Sequence, residues 1–176
     1  MNKRGGLTDL FLFMIYAFAI VVILGIIIYA ANTMQDRLYD WAPTYSGSVN
    51  ATATIEDTFA PFTAALKILY WGSFLIIVGM ILSIFIGNFL IETHPVFFVP
   101  YTFITAVAVI LSAAISNAYE TIANNATLNS TFLGFKGANV ILLHLPVWIT
   151  VIGFVGAILL FAKYKGGNSG GYQTLG

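Results

Sequence analysis

The sequence contains no cysteine and very little charge. Without cysteine the chain can form no disulfide, thiolate metal site or palmitoyl anchor. Lys and Arg total 7, Asp and Glu total 7, and the formal net charge is zero, so the basic surface of a nucleic-acid-binding protein is absent. Only 8% of the 176 residues are charged, against about a quarter in a typical soluble domain. These deficits exclude a water-soluble domain and a nucleic-acid partner.

Long apolar runs take the place of charge, since 59% of the residues are apolar and the mean hydropathy is +0.91. A helix needs about 20 mainly apolar residues to cross a hydrocarbon core roughly 30 Å thick. Four segments are long and apolar enough, at about 7–31, 66–91, 96–119 and 138–162. None alternates in the manner of a barrel strand. The sequence therefore predicts a single all-α domain with four transmembrane helices, whose first partner is the lipid bilayer.

The N-terminus shows two patterns known from other proteins. Lys3 and Arg4 precede an apolar run, as in a secretory signal, but the run is longer than a signal's, so we expect the span to be retained. The start KRGGLTDLF resembles the basic-Gly cleavage site of type IV prepilins and archaeal pilins, which carry an acidic residue a few positions into the mature helix. Asp9 matches that position only approximately, and three further spans depart from the pilin pattern, so no pilin function is inferred.

The distribution of basic residues predicts the orientation. Four crossings place both termini on one side, and basic residues collect on the inner side of a membrane. The basic residues that flank the first and last spans are Lys3, Arg4, Lys163 and Lys165. We therefore expect both termini and the turn at 92–95 to lie inside, with loops 32–65 and 120–137 outside.

Three N-x-S/T sequons fall in the loops assigned to the outer side. A glycan can be added only on the translocated side, so their placement agrees with the predicted orientation. The candidate N-glycosylation sites are Asn50, Asn125 and Asn129.

The segments between the spans carry local signals of their own. Residues 33–41 are expected to prolong the first helix until Pro43. Thr54 to Asp57 resembles a capping box that opens an interfacial helix, which leads, straight or bent, into the second span. Phe132 and Phe135 are expected to anchor the second outer loop in the headgroup region. The Gly-rich tail, 165–176, is typical of a flexible segment.

Small and polar residues within the spans suggest where helices pack against one another. Spans associate in lipid through small residues and buried hydrogen bonds. The candidates for packing are Gly72, Gly79, Ser112, Ser116, Gly153 and Ala157. Helix packing is the favoured interpretation, and a permeation path lined by these residues is the alternative.

His144 is the one ionisable residue expected deep within a span. Pro146 follows it, so the helix should kink there, and a buried imidazole would need a partner such as Asn117 or Glu120. The favoured interpretation is a neutral, hydrogen-bonded His, and the alternative is a proton-sensing or ion-lining group.

Asn88 is a further intramembrane polar candidate, four residues before Glu92 and close to His94. Two ligands at a turn do not make a zinc site, which normally has at least three protein ligands. We expect ordinary polarity at a helix end, and no metal.

The sequence contains no hydrolase, metalloprotease, P-loop or dinucleotide-binding motif, so no catalytic residue and no cofactor is assigned. We expect a non-enzymatic structural subunit of a larger homo- or hetero-oligomeric assembly, in a virion membrane, a cell envelope or a membrane complex. A viral or archaeal envelope is slightly favoured because of the short chain, the pilin-like start and the missing cysteine. The alternatives are an oligomeric channel or holin-like pore, and an accessory subunit of a membrane enzyme.

Overall fold

A computed structural model describes residues 7–42, 50–90 and 98–167. The described residues are helical and include no strand, as the sequence predicts. The six helices are α1 (Leu7–Trp41), α2 (Ala51–Leu90), α3 (Phe98–Ala123), α4 (Asn129–Phe132), α5 (Lys136–Leu142) and α6 (Leu145–Gly167).

Two of these helices are much longer than a bilayer is thick. α1 has 35 residues and α2 has 40, which correspond to about 52 and 60 Å at 1.5 Å per residue, against roughly 30 Å of hydrocarbon. The expected extension of the first helix is present, and α1 ends at Trp41, just before Pro43. Residues 32–42 and 50–66 lie beyond the most apolar parts of α1 and α2. We call them the outer arm, after the side of the membrane that the sequence predicts for them.

The start of α2 differs from the sequence prediction. Asn50, rather than Thr54, caps the helix, since its Oδ1 accepts a hydrogen bond of 3.1 Å from the Ala53 amide. Thr54 already lies in the first turn, where its hydroxyl donates to the Asn50 carbonyl. The helix then continues through Pro61 to Leu90, so the interfacial helix and the second span are one element.

Each long helix buries one stripe of side chains at helical spacing. Leu10, Met14, Ala17, Val21 and Ile28 form the buried stripe of α1. The corresponding residues of α2 are Ser73, Ile77, Ile81, Ile84 and Asn88, and those of α3 are Tyr101, Ala108, Ser112, Ser116, Tyr119 and Ala123. The other faces are largely apolar and exposed, as expected of helices surrounded by lipid.

Helix α6 runs antiparallel along α3. Tyr101 and Thr105 of α3 face Gly156 and Gly153 of α6, while Ser116, much further along α3, reaches Leu143 just before α6 begins. We call the end of the bundle next to the outer arm the arm end. The opposite end contains the start of α3 and the end of α2.

The predicted fourth span is broken. α5 and the described part of α6 together are apolar enough to cross a membrane, but they meet at an angle of 73°. In the part of the chain that the structure describes, three helices are therefore long and apolar enough to span a membrane, or four if the bent pair is one span. The break follows from Pro146, whose ring and missing N–H disfavour a continuous helix.

The predicted second outer loop, 120–137, is also mostly helical, and part of it turns back into the bundle. A Cβ atom at Gly137 would lie 2.7 Å from Phe74 Cγ. Lys67 is the first residue of α2 beyond the outer arm, and Phe74 lies seven residues, or about 10 Å, further along the helix. The chain from 129 to 142 therefore enters the arm end of the bundle, so we call it the inserted segment.

Two predictions fall largely outside the described residues. The turn at 92–95, with Glu92 and His94, is one of them. Most of the Gly-rich tail is the other, although α6 continues to Gly167, two residues past the start predicted for the tail.

Candidate functional site at the break of the fourth span

The break between α5 and α6 releases backbone carbonyls from the helical pattern, and side chains bind two of them. The Ser116 hydroxyl donates a hydrogen bond of 2.8 Å to the Leu143 carbonyl. The indole Nε1 of Trp148 donates one of 3.3 Å to the Val140 carbonyl. Beyond the break, the Val147 amide bonds the His144 carbonyl at 3.0 Å and resumes the helix. Since a free carbonyl is unfavourable in lipid, a break within a membrane-spanning segment requires contacts of this kind.

Asn139 joins the inserted segment to α3. Its Oδ1 accepts a hydrogen bond from the Tyr119 hydroxyl, and its Nδ2 donates one of 2.9 Å to the Phe132 carbonyl. Tyr119 is fully buried. Asn139 was not among the predicted site residues, although an amide near the start of an apolar span is a signal that the sequence contains.

Aromatic rings fill the space around this pair. Phe132 and Phe135 are fully buried, which corrects the prediction that they anchor a loop in the headgroup region. Phe135 meets the Tyr70 ring edge-on at a centroid distance of 4.7 Å, and Phe132 contacts Tyr119 in the same manner at 5.9 Å. Gly25 of α1 gives Phe132 its room, since a Cβ atom there would lie 2.5 Å from the ring. Most apolar residues of this segment are buried in protein, although Leu133 and Val140 are exposed, so it is not a free outer loop.

The polar residues predicted around the kink do not gather at one point. His144 occupies the break but is exposed on the surface of the chain, and Asn117 and Glu120 are exposed as well. This corrects the expectation of a buried imidazole: at the break, the Leu143 carbonyl faces α3 and binds Ser116, whereas the His144 side chain is exposed.

The other polar candidates are buried but lie at different heights in the bundle. Ser112 is fully buried, and its hydroxyl donates to the Val109 carbonyl of its own helix at 2.7 Å. Asn88 is 4% exposed and lies near the opposite end, beside Tyr101. Within one chain, the residues proposed to line a path therefore form no continuous polar stripe among the described residues.

The small residues predicted to pack fall into two groups. Gly153 lies against Thr105, so close that a methyl group there would overlap the threonine side chain, and Ala157 nearby is half-buried. A Cβ atom at Gly72 or Gly79, in contrast, would meet no atom within 4 Å. Among the described residues, no helix therefore makes the close approach predicted at those two glycines.

The three sequons have different surroundings. Asn125 is exposed, and its Oδ1 accepts a hydrogen bond of 3.0 Å from the Thr127 amide. Asn129 is half-buried and donates to the Ala123 carbonyl. Asn50 is exposed, with its side chain engaged in capping α2.

Among the described residues, no group of three or more His, Asp or Glu side chains could hold a metal ion. The groups at the break are neutral hydrogen-bond donors and acceptors, and their geometry serves to hold helices together. Comparison of the chain with protein-family models, with curated proteins and with solved structures finds no match.

Proposed function

We propose that this chain is a non-enzymatic structural membrane protein that works as a subunit of a larger assembly. The observation that carries the proposal is the outer arm, in which two helices continue well past the apolar parts of α1 and α2. The arm bears four exposed acidic residues and one exposed basic residue: Asp36, Asp40, Glu56, Asp57 and Arg37. Exposed charges of this kind are favourable in water and unfavourable in lipid, so we expect the arm to lie outside the hydrocarbon core.

The outer arm has little packing of its own. Ala42, Ile55 and Thr63 are its buried residues among those described. Helices in proteins derive most of their stability from packing along an apolar face. Two helices that pack only against each other share a single contact face, so this stabilisation is small. A partner that packs on the arm would supply further contacts, which is the role expected of a subunit.

The proposed orientation places both termini inside and the arm outside. It is supported by the basic residues that flank the first and last spans and by the acidic balance of the arm. The antiparallel course of α6 along α3 supports a fourth crossing. A virion membrane, a cell envelope and a multi-subunit membrane complex are all compatible settings.

An oligomeric channel or holin-like pore is the second candidate, and the broken fourth span favours it. Non-helical backbone at membrane depth occurs where it is buried in protein or lines a water-filled cavity. Here Phe132 and Phe135 bury the inserted segment in protein, which argues for the structural role. Flux measurements on liposomes that contain the protein distinguish the two, since conductance at any tested pH or voltage would support the pore.

Extraction of native membranes into polymer-bounded discs tests the proposed function. We expect a particle that contains several copies of the 19.1 kDa chain, or other subunits. Thr58→Trp places a bulky side chain on the exposed arm and should reduce the assembly. Ile110→Trp, on an exposed face of α3 within the span, is the matched control and should leave it intact. A disc that holds one copy and no partner would contradict the proposal.

A further inference from the structure

Three polar atoms at the opposite end of the bundle are buried without a hydrogen-bond partner among the described residues. They are Asn88 Nδ2 of α2, and Tyr101 Oη and Thr105 Oγ1 of α3. Asn88 and Tyr101 are only 4% and 3% exposed. An unsatisfied polar group in a hydrocarbon surrounding is strongly unfavourable, so this cluster requires an explanation.

The three side chains face two glycines of α6. A methyl group at Gly156 would overlap the Tyr101 hydroxyl and lie 2.9 Å from Asn88 Nδ2. A methyl group at Gly153 would overlap Thr105. The side chains of α2 and α3 therefore converge on one small region beside α6, where Gly153 and Gly156 leave room for Thr105 and Tyr101.

The geometry within the cluster is that of groups close together but not directly bonded. The Tyr101 hydroxyl and Asn88 Nδ2 both lie beside the position that a Cβ atom of Gly156 would take. Among the described residues, none of the three polar atoms has a partner at hydrogen-bond distance and angle. Polar groups that approach one another in this way are often bridged by water.

The uncharged side chains of the cluster favour a small neutral ligand. An amide, a phenol and an aliphatic hydroxyl offer both donors and acceptors but carry no charge to neutralise an ion. A buried water molecule typically makes about three hydrogen bonds to otherwise unsatisfied groups, and three such groups are available here.

We propose that Asn88, Tyr101 and Thr105 form a binding site for one ordered water molecule, which joins α2 and α3 next to α6. The bundle is then held by direct hydrogen bonds at the arm end, through Ser116 and Tyr119, and by a bridging water at the opposite end. This inference does not depend on the proposed function.

The direct test is a density map of the wild-type protein, at a resolution that shows ordered interior water. We expect a solvent peak within hydrogen-bond distance of the Asn88 amide and both hydroxyl groups. Side chains bonded directly to one another, with no peak between them, would overturn the proposal.

Variants provide an independent test, because leaving a buried polar group unpaired is worse than removing all its partners together. Tyr101→Phe should lower the melting temperature by several degrees. The triple variant Asn88→Leu, Tyr101→Phe, Thr105→Val should recover much of that loss.

Thr102→Val is the matched control, since the Thr102 side chain is exposed and its hydroxyl donates to the Phe98 carbonyl of its own helix, so its effect should be small. A triple variant whose loss equals or exceeds the sum of the three single losses would contradict a shared water. If the triple variant does not fold, the density map still decides.

Discussion

The Ser116 hydroxyl donates a hydrogen bond of 2.8 Å to the carbonyl of Leu143, at the break between α5 and α6. Where a helix bends sharply in a membrane, the carbonyls that lose their helical partners need other hydrogen-bond donors. For the Leu143 carbonyl, α3 provides that donor. The bond ties the bend of one span to the position of another. The break is therefore a defined structural feature, held from outside its own helix.

Removal of the Ser116 hydroxyl should destabilise the bundle, because the Leu143 carbonyl then loses its donor. Hydrogen bonds between transmembrane helices contribute about 0.6 kcal/mol on average and up to about 1.7 kcal/mol, and we expect Ser116→Ala near the upper value. Ser112→Ala is the matched control, since that hydroxyl serves only its own helix. Thermal unfolding in detergent gives the comparison, and equal losses for the two variants would contradict a special role for Ser116.

Ser116→Leu should be more damaging than Ser116→Ala. Ser116 is 7% exposed, and a branched side chain there must push α3 away from the break. We expect a lower melting temperature and weaker assembly. A Ser116→Leu protein as stable as the wild type would indicate that this face of α3 looks toward lipid.

Much of the fold could be predicted from the sequence, because its main signals are local. Apolar runs of about 20 residues predict membrane helices, and Pro43 and Pro146 correctly marked an end and a break. The course of the inserted segment could not be predicted. A phenylalanine in a polar stretch is expected both in a headgroup layer and in a protein core, so the sequence around Phe132 and Phe135 does not distinguish the two locations.

The sequence also could not show which polar residue serves the break. His144 is the more conspicuous side chain, but a bend of unknown direction leaves the position of its ring undetermined. The amide of Asn139 is visible in the sequence, but its contact with Tyr119 is not, and the contact of Trp148 with Val140 depends on the angle between α5 and α6. In the same way, Gly153 and Gly79 look alike in sequence, and only the packing distinguishes them.

Tyr119→Phe should weaken the attachment of the inserted segment. The variant keeps the ring and its contact with Phe132 but leaves Asn139 Oδ1 without the hydroxyl donor. An unpaired buried acceptor is unfavourable by about 1–3 kcal/mol. Limited proteolysis should show faster cleavage between 124 and 135 in the variant. Unchanged cleavage would mean that Phe132 and Phe135 suffice to hold the segment.

Two glycine substitutions separate packing from helix propensity. Gly25→Ala should destabilise the protein, because the added methyl group would collide with the buried Phe132 ring. Gly79→Ala meets no neighbouring atom and should be neutral or stabilising by roughly 0.5–1 kcal/mol, since alanine is the better helix former. The melting temperature should fall for Gly25→Ala and should rise or stay unchanged for Gly79→Ala. A larger loss for Gly79→Ala would place a partner on that face of α2.

Single cysteines test the orientation, because the native chain contains none. We expect Thr58→Cys, on the exposed arm, to react with an impermeant thiol reagent on intact cells or particles. Asn2→Cys and Ser169→Cys should react only after permeabilisation if the bent pair α5–α6 is one crossing. Labelling of Ser169→Cys from outside, with Asn2→Cys protected, would instead mean three crossings.

Site-specific photo-crosslinking in native membranes tests the role of the outer arm most directly. A photoreactive amino acid at Thr58 or Arg37 samples exposed positions of the arm, and one at Phe103, which is 71% exposed on α3 within the span, is the control. We predict that the arm positions give discrete protein adducts, from a second copy or another subunit, and that Phe103 gives mainly lipid adducts. Arm positions that yield no protein adduct in the native membrane would contradict the proposal that this chain is a subunit of a larger assembly.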